Sequence, residues 1–188
     1  IVFDNQVILG TRARKTRTKS FNAFSSIDYP ETAMFRDRRL IQFLQRPAEY
    51  THAVFSTALD PNVFVLRLVP GMRADIIPLL EGRYRALVLE SFGVGGLPGG
   101  DDGAMFAAVR DWCGAGHLAV FTTQVPHEGS DLAVYEVGRA AKALPGVLEA
   151  HDMTPEATAV KLMWVLGQTT DRAEAEKLFL TPVQWDIL

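Results

Sequence analysis

Two loops hold the residues whose types and spacing could support chemistry. The first is the glycine cluster Gly93–Gly100, which directly follows the apolar run Ala86–Phe92. The second is Gln124–Asp131, which contains one histidine and two carboxylates. Glycines allow a ligand to approach the backbone closely, and carboxylates can pair with an amine. Two such loops at the carboxyl end of a parallel sheet would form a ligand crevice.

Neither of the familiar phosphate-binding motifs is present in the glycine cluster. A P-loop requires a lysine, and the cluster contains none. Gly93-Val-Gly95 begins a dinucleotide fingerprint, but Pro98 occupies the position of the third glycine. Asp101 and Asp102 would repel a phosphate, and they are predicted to cap the next helix instead. The cluster is therefore either a ligand-binding loop or a turn that joins a strand to a helix.

The remaining polar residues form no nucleophile or metal-ligand pattern. No serine or cysteine stands beside a base in a recognised spacing, and no histidine pair has metal-ligand spacing. Cys113 lies on the apolar face of a predicted helix, so we expect it to be buried and inert. Asp131 and Glu136 could hold an amine or could be ordinary helix-start residues. His127 and Glu128 could contact a ligand or simply form a surface turn.

Composition excludes several classes of protein. The chain has 188 residues, of which 48% are hydrophobic, so it can bury a real core. Its net charge of −3 does not favour nucleic acid or membrane surfaces as partners, and no apolar run is long enough to span a bilayer. The basic stretch Gly10–Lys19 has no interleaved aromatic residues, which favours a solvated strand edge over a nucleic-acid surface. A single cysteine suits a reducing compartment such as the cytoplasm.

Strands and helices are predicted to alternate from Asn62 onward. The predicted strands are Val63–Val69, Ala86–Phe92, His117–Thr122 and Val147–Glu149. The predicted helices are Arg73–Leu80, Asp102–Cys113, Leu132–Leu144, Pro155–Leu166 with Thr154 as its cap, and Arg172–Phe179. This alternation predicts a three-layer α/β domain with a small parallel sheet flanked by helices. Before it, we expect a hairpin from Ile1–Phe3 and Val7–Leu9, a loop over Ser20–Glu31, and a linker with a short helix over Ala33–Tyr50.

Four separated blocks, in the right order, resemble type I (cytosolic) L-asparaginases. They are LGTRARKTRTKSFNAFSSIDYP at Leu9–Pro30, LVPGM at Leu68–Met72, LVLESFGVGGLP at Leu87–Pro98 and DMTPEATAVKLMWVLGQ at Asp152–Gln168. Two departures stand out within these blocks. Ser26-Ile27-Asp28 replaces the usual Ser-Pro-Asn, and Gly96 replaces the asparagine of GVGN. Val125 replaces a cysteine linked to allosteric asparagine binding, so allostery is not expected here.

The resemblance implies an enzyme that hydrolyses L-asparagine to L-aspartate and ammonia through a threonine nucleophile, without a metal or cofactor. The motifs that carry the threonine chemistry, TGGT and HGTDT, do not occur in this sequence. We therefore expect no catalytic residue in this chain, and no activity from the chain alone. The implied organisation is a terminal hairpin of a truncated larger domain at 1–30, a linker at 31–61 and a C-terminal α/β domain at 62–188.

The resemblance also implies a homodimer or dimer of dimers, in which the small domain closes the site of the partner subunit over a small amide substrate. The substrate-proximal residues would be Gly95, Gly96, Gln124 and Asp131. Two alternatives stay open. One is a non-catalytic α/β ligand-binding or dimerisation module. The other is an asparaginase-like subunit of a tRNA-dependent amidotransferase, which the basic run Arg12–Lys19 would favour.

Overall fold

The computed structural model of this chain describes residues 1–44, 55–98 and 103–188. The chain divides into two compact units, Ile1–Thr57 and Ala58–Leu188. In the described residues, no helix is long and apolar enough to cross a membrane.

The first unit is built from short antiparallel strands. They are β1 (Val2–Phe3), β2 (Gln6–Val7), β3 (Ala13–Lys15), β4 (Phe24–Ser26), β5 (Ala33–Arg36) and β6 (Arg39–Gln42). One sheet has the order β1-β2-β5-β6, and β3 pairs separately with β4. The predicted N-terminal hairpin is confirmed, because β1 and β2 pair across Asp4 and Asn5. Both turn residues have positive φ angles, 49° and 62°, as a two-residue hairpin turn requires.

The prediction of a linker with a short helix from Ala33 is wrong for residues 33–42, which form a second hairpin. Its turn residues Asp37 and Arg38 also have positive φ angles, 50° and 62°. The sequence of β6, Arg-Leu-Ile-Gln, does not alternate between apolar and polar residues, and all four residues are exposed. The alternation that would have predicted a half-buried strand is therefore missing. The predicted loop over Ser20–Glu31 likewise contains a strand, β4. Residues 45–54 of the predicted linker lie outside the described residues.

The basic stretch Gly10–Lys19 was predicted to form a solvated strand edge, and its first basic residue, Arg12, departs from that prediction. Lys15, Arg17 and Lys19 are exposed, in agreement with a solvated strand edge. Arg12 is fully buried, and its guanidinium lies 5.4 Å from the centre of the Tyr29 ring. The attraction of the ring for the cation offsets part of the cost of burying the guanidinium. Arg12 is therefore part of the interior of this unit.

The second unit is a three-layer α/β domain, as predicted. Its parallel strands are β7 (Val63–Arg67), β8 (Ala86–Ser91), β9 (Leu118–Thr123) and β10 (Val147–Glu149), in the order β10-β9-β8-β7. Its helices are α1 (Ala104–Gly114), α2 (Glu136–Lys142), α3 (Pro155–Gln168) and α4 (Arg172–Leu180).

Alternate residues of the central strands enter two separate cores, because successive strand side chains point to opposite faces. On one face, Val88 and Val120 pack in the core that includes Leu162 of α3 and Phe179 of α4. On the other face, Leu89 and Phe121 pack in the core that includes Val109 and Trp112 of α1. Burial on both faces explains why these strands read as continuous apolar runs.

The helix boundaries follow local capping chemistry. The Thr154 hydroxyl accepts a hydrogen bond from the Ala157 amide at 3.1 Å, and Pro155 takes the first helical position, as predicted. The predicted helix Arg73–Leu80 is instead two short 3-10 turns, Ala74–Ile76 and Pro78–Leu80, because Pro78 cannot donate a helical hydrogen bond. Helix α1 begins at Ala104, and the predicted caps Asp101 and Asp102 lie outside the described residues.

Candidate functional site

The described part of the glycine cluster, residues 93–98, meets the Gln124–Asp131 loop at the carboxyl end of the parallel sheet, and Gly99 and Gly100 lie outside the described residues. Ser91 at the end of β8 lies opposite Thr123 at the end of β9, so the segments that follow start side by side. The Asp131 amide donates to the Val94 carbonyl at 2.8 Å, and the Thr123 hydroxyl donates to the Gly93 carbonyl. These bonds connect the glycine loop directly to β9 and to the Gln124–Asp131 loop.

Gly95 allows this close approach. Its φ angle is 155°, and a Cβ atom placed on it would lie 2.6 Å from Cδ2 of Leu132. A side chain at Gly95 would therefore push Leu132 out of its buried position, where it is 1% exposed. At Gly96, the same added atom would lie 3.2 Å from the Phe92 carbonyl oxygen, which already accepts the Gly96 amide. The absence of side chains at both positions keeps the loop compact against its neighbour.

Gln124 has a structural task at the sheet edge. Its side-chain nitrogen donates to the Leu68 carbonyl at 2.6 Å and to the Glu90 carbonyl at 2.8 Å. The carboxamide thereby links the end of β9 to the neighbouring strand β8 and to the residue that follows β7. Because both amide protons bind backbone carbonyls, this nitrogen is already saturated by the protein.

Asp131 presents a carboxylate at the same edge. The side chain is exposed, and its Oδ1 atom accepts the Ala133 amide at 2.9 Å, which forms a local turn. The predicted helix start at Leu132 is wrong, because α2 begins at Glu136 and is preceded by a turn in which the Leu132 and Ala133 amides donate to carboxylates. The carboxylate is fixed in position yet open to solvent, so it can pair with a cation.

An acidic residue that the sequence did not single out supports this turn. Glu149 ends β10, is 4% exposed, and accepts the Leu132 amide on Oε1 at 2.7 Å. Its other oxygen lies 3.1 Å from Nζ of Lys142 and 3.9 Å from Nδ1 of His151. The only sequence signal was an acidic residue at the end of a short apolar strand.

The other polar candidates take structural or surface positions. The His117 ring stacks on Trp112, with 4.2 Å between ring centres. His127 and Glu128 lie on an exposed part of the second loop, where Glu128 has a φ angle of 76°. Glu136 is the first residue of α2 and lines an apolar cavity of about 350 Å³. Leu97, Pro98, Phe106, Val137 and Ala140 supply the apolar walls of that cavity.

Within the described parts of the chain, no group of three or more histidine, cysteine, aspartate or glutamate residues could hold a metal ion. Cys113 is 2% exposed on the buried face of α1, as predicted. Burial raises the pKa of its thiol to about 11, which removes the thiolate that a nucleophile requires.

We expect Cys113 to react with an aromatic disulfide reagent only when the protein unfolds. At pH 8, a thiol with this pKa is ionised in about one molecule in a thousand, and the reagent cannot reach the buried sulfur. The absorbance of the released thiol measures the reaction, and the protein in denaturant gives the full signal as a control. Rapid labelling of the folded chain would contradict the burial of this face of α1.

The second unit is a three-layer α/β domain whose two loops share one sheet edge, and comparisons with known proteins identify its family. The description "Glutaminase/Asparaginase C-terminal domain" matches residues 62–179, and "Asparaginase, N-terminal" matches residues 1–49. The chain belongs to the glutaminase/asparaginase family.

Individual relatives agree with this assignment. An L-asparaginase of Thermococcus kodakarensis is 38% identical over 179 residues, which is 95% of this chain and 53% of that protein. A glutamyl-tRNA(Gln) amidotransferase subunit of Metallosphaera sedula is 33% identical over 92% of this chain and 39% of that protein. The chain thus spans about half, or less, of the length of these relatives.

Solved structures share the fold. The thermostable L-asparaginase from Thermococcus kodakarensis superposes with a TM-score of 0.91 at 35% identity, covering 99% of this chain and 56% of that one. L-asparaginase I from Vibrio cholerae gives a TM-score of 0.81 at 22% identity, with the same coverage of 99% and 56%. The resemblance to asparaginases inferred from the sequence is confirmed.

Proposed function

We propose that this chain is the C-terminal part of an L-asparaginase-like amidohydrolase, which converts L-asparagine and water to L-aspartate and ammonia. The observation that carries the proposal is the exposed Asp131 carboxylate, anchored beside the glycine loop at the sheet edge. The similarity to an L-asparaginase along nearly the whole chain supports the same conclusion.

The chemistry at this edge suits an amino-acid amide. The α-amino group of asparagine is positively charged near neutral pH, and an exposed carboxylate in a fixed turn can pair with it. Gly95 and Gly96 leave room for the substrate backbone to approach. Gln124 keeps the ends of β7, β8 and β9 together through its two carbonyl contacts, and so supports the crevice without touching the substrate.

The nucleophile and the neighbouring subunit of the proposed enzyme would lie outside this chain. The nucleophilic threonine would come from the catalytic domain, of which residues 1–30 would be the last hairpin. In a homodimer or dimer of dimers, the sheet edge would cover the neighbour's threonine and exclude water. Hydrolysis by a threonine needs no cofactor, and we propose a cytoplasmic location.

A second candidate is the asparaginase-like subunit of a tRNA-dependent amidotransferase. Relatives named as a subunit of glutamyl-tRNA(Gln) amidotransferase, from several organisms, match along most of this chain. Free asparagine as the preferred ammonia donor would favour the first candidate. Glutamine hydrolysis that depends on a charged tRNA and a second protein would favour the second.

Replacement of Asp131 by asparagine in the assembled enzyme should raise KM for asparagine by at least about tenfold, because the amine loses its charged partner. Asparagine retains a side-chain carbonyl that can accept the Ala133 amide, so the turn should survive and the melting temperature should change little. Asp131→Ala removes both features and should lower the melting temperature as well. Steady-state ammonia release and thermal unfolding measure the two effects.

Subunit mixing tests the cross-subunit arrangement. When Asp131→Asn is combined with a variant lacking the nucleophilic threonine, heterodimers should regain activity because one composite site carries neither defect. The isolated 188-residue chain, which we expect to be inactive, provides the baseline. Unchanged KM in Asp131→Asn, or no recovery despite exchange of subunits, would contradict the proposed role of this edge.

A further inference from the structure

We infer that Glu149 is a positioning residue, which holds the backbone after Asp131 so that the carboxylate of Asp131 faces the substrate amine. The kinetic consequence rests on the function proposed above, whereas the structural consequence does not. Glu149 has no direct contact with the substrate in this proposal. It acts only through the hydrogen bond that it accepts from the Leu132 amide.

Three consecutive amides fix the segment around Asp131. The Ser130 amide donates to the His151 carbonyl at 2.9 Å, and the Asp131 amide donates to the Val94 carbonyl at 2.8 Å. The third amide, from Leu132, donates to the Glu149 carboxylate at 2.7 Å. Two of these contacts join backbone atoms on both sides and do not depend on a side-chain acceptor. The third contact depends on the Glu149 side chain, so a substitution at Glu149 can remove it.

The surroundings of Glu149 make its contact strong. The carboxylate is almost completely buried, at 4% exposure, where a charge-assisted hydrogen bond is worth more than in water. The ammonium group of Lys142, which is half exposed, lies 3.1 Å from the second oxygen of Glu149. Nδ1 of His151 lies 3.9 Å from the same oxygen. Such a buried carboxylate is stable only when it is paired. Its first oxygen is thereby held toward Leu132.

The restraint reaches the crevice through Leu132. This residue is 1% exposed and fills the space above Gly95, where an added Cβ would lie 2.6 Å from its side chain. Its carbonyl lies against Gly138, where an added Cβ would lie 2.5 Å away. Leu132 is therefore clamped on three sides, and its amide orientation determines where the preceding carboxylate of Asp131 points.

Two substitutions separate the hydrogen bond from the charge. Glu149→Gln retains the length of the side chain and an acceptor oxygen but loses the charge. Glu149→Asp retains the charge but is shorter by one methylene, so it cannot reach the Leu132 amide from the same backbone. Glu81→Gln, on an exposed turn at the other end of β8, is the matched control for a simple loss of charge.

Amide hydrogen exchange in this chain tests the structural consequence. In Glu149→Asp, exchange of the Leu132 amide should accelerate by about tenfold or more, because its buried partner is lost. In Glu149→Gln, which keeps a neutral acceptor, the acceleration should be clearly smaller, and in Glu81→Gln exchange should stay within about twofold of the parent. The amides of β9 report on global unfolding, so the acceleration at Leu132 beyond any change in β9 measures the local loss. Unchanged Leu132 exchange in Glu149→Asp, or equal acceleration in Glu149→Gln, would overturn the inference.

Kinetics of the assembled enzyme test the consequence for function. Glu149→Asp should raise KM for asparagine by about three- to tenfold with kcat nearly unchanged, whereas Glu149→Gln should raise it less. When Asp131→Asn is already present, Glu149→Asp should have no further effect on KM, because both changes act on the same contact. If Glu149→Asp only destabilised the fold, it would change KM by a similar factor with and without Asp131→Asn.

The structural prediction and the kinetic prediction can fail independently of each other. If Asp131→Asn leaves KM unchanged, the proposed function is wrong, and exchange of the Leu132 amide alone decides the positioning role. If Asp131→Asn raises KM but Glu149→Asp opens the Leu132 amide without changing KM, Glu149 does not position Asp131 for substrate.

Discussion

Replacement of Lys161 by alanine is expected to lower the free energy of unfolding of the α/β unit by about 3–5 kcal/mol, because it leaves a buried carboxylate unpaired. The ammonium group of Lys161 lies 2.8 Å from the Asp186 carboxylate and 2.9 Å from the Thr181 carbonyl. Both charged side chains are only 5% exposed. The pair ties the C-terminal segment to α3, which packs on the sheet. Urea unfolding followed by circular dichroism measures the loss.

Two comparisons identify the cause of that loss. The double variant Lys161→Met with Asp186→Leu removes both charges and should recover most of the stability, because no buried charge is left without a partner. Arg110→Ala removes an exposed ion pair with Asp111 and should change the stability by less than about 1 kcal/mol. A loss in Lys161→Ala as small as that in Arg110→Ala would show that the buried pair contributes little.

Gly129→Ala is expected to lower the free energy of unfolding by roughly 2–4 kcal/mol, through backbone strain and a steric clash together. Gly129 has a φ angle of 66°, and an added Cβ would lie 2.4 Å from the His151 carbonyl oxygen. That oxygen also accepts the Ser130 amide, so the clash would push apart the two segments that hold Asp131. Thermal unfolding measures the stability, and KM in the assembled enzyme should rise in parallel.

Gly71→Ala separates the two contributions. Gly71 also has a positive φ angle, 80°, but an added Cβ would have no heavy atom within 4 Å. It should therefore carry the backbone strain alone, about 1–2 kcal/mol. Equal losses in the two variants would mean that the contact between Gly129 and the His151 carbonyl is unimportant, and that the loop can move without cost.

Much of the α/β unit could be predicted because its signals are local. Apolar runs of strand length predicted β7, β8 and β9, and Thr154-Pro155 predicted the start of α3. Parallel strands joined by helices present their carboxyl ends at one edge, so the meeting of the glycine loop with the Asp131 loop followed from the order of elements alone. The strands of the second hairpin, β5 and β6, escaped prediction because the adjacent apolar residues Leu40 and Ile41 break the apolar–polar alternation in β6.

The sequence by itself determined the layers of this domain and the sheet edge that the two loops share, because these depend on periodicity and on the order of the elements. Only the tertiary structure decided which polar atoms meet. The Gln124 side chain binds carbonyls 34 and 56 residues away in the chain, Glu149 binds an amide 17 residues away, and Arg12 enters the interior beside Tyr29. Such partners are chosen by burial, since a polar group removed from water must find whichever acceptor or donor the fold brings within reach.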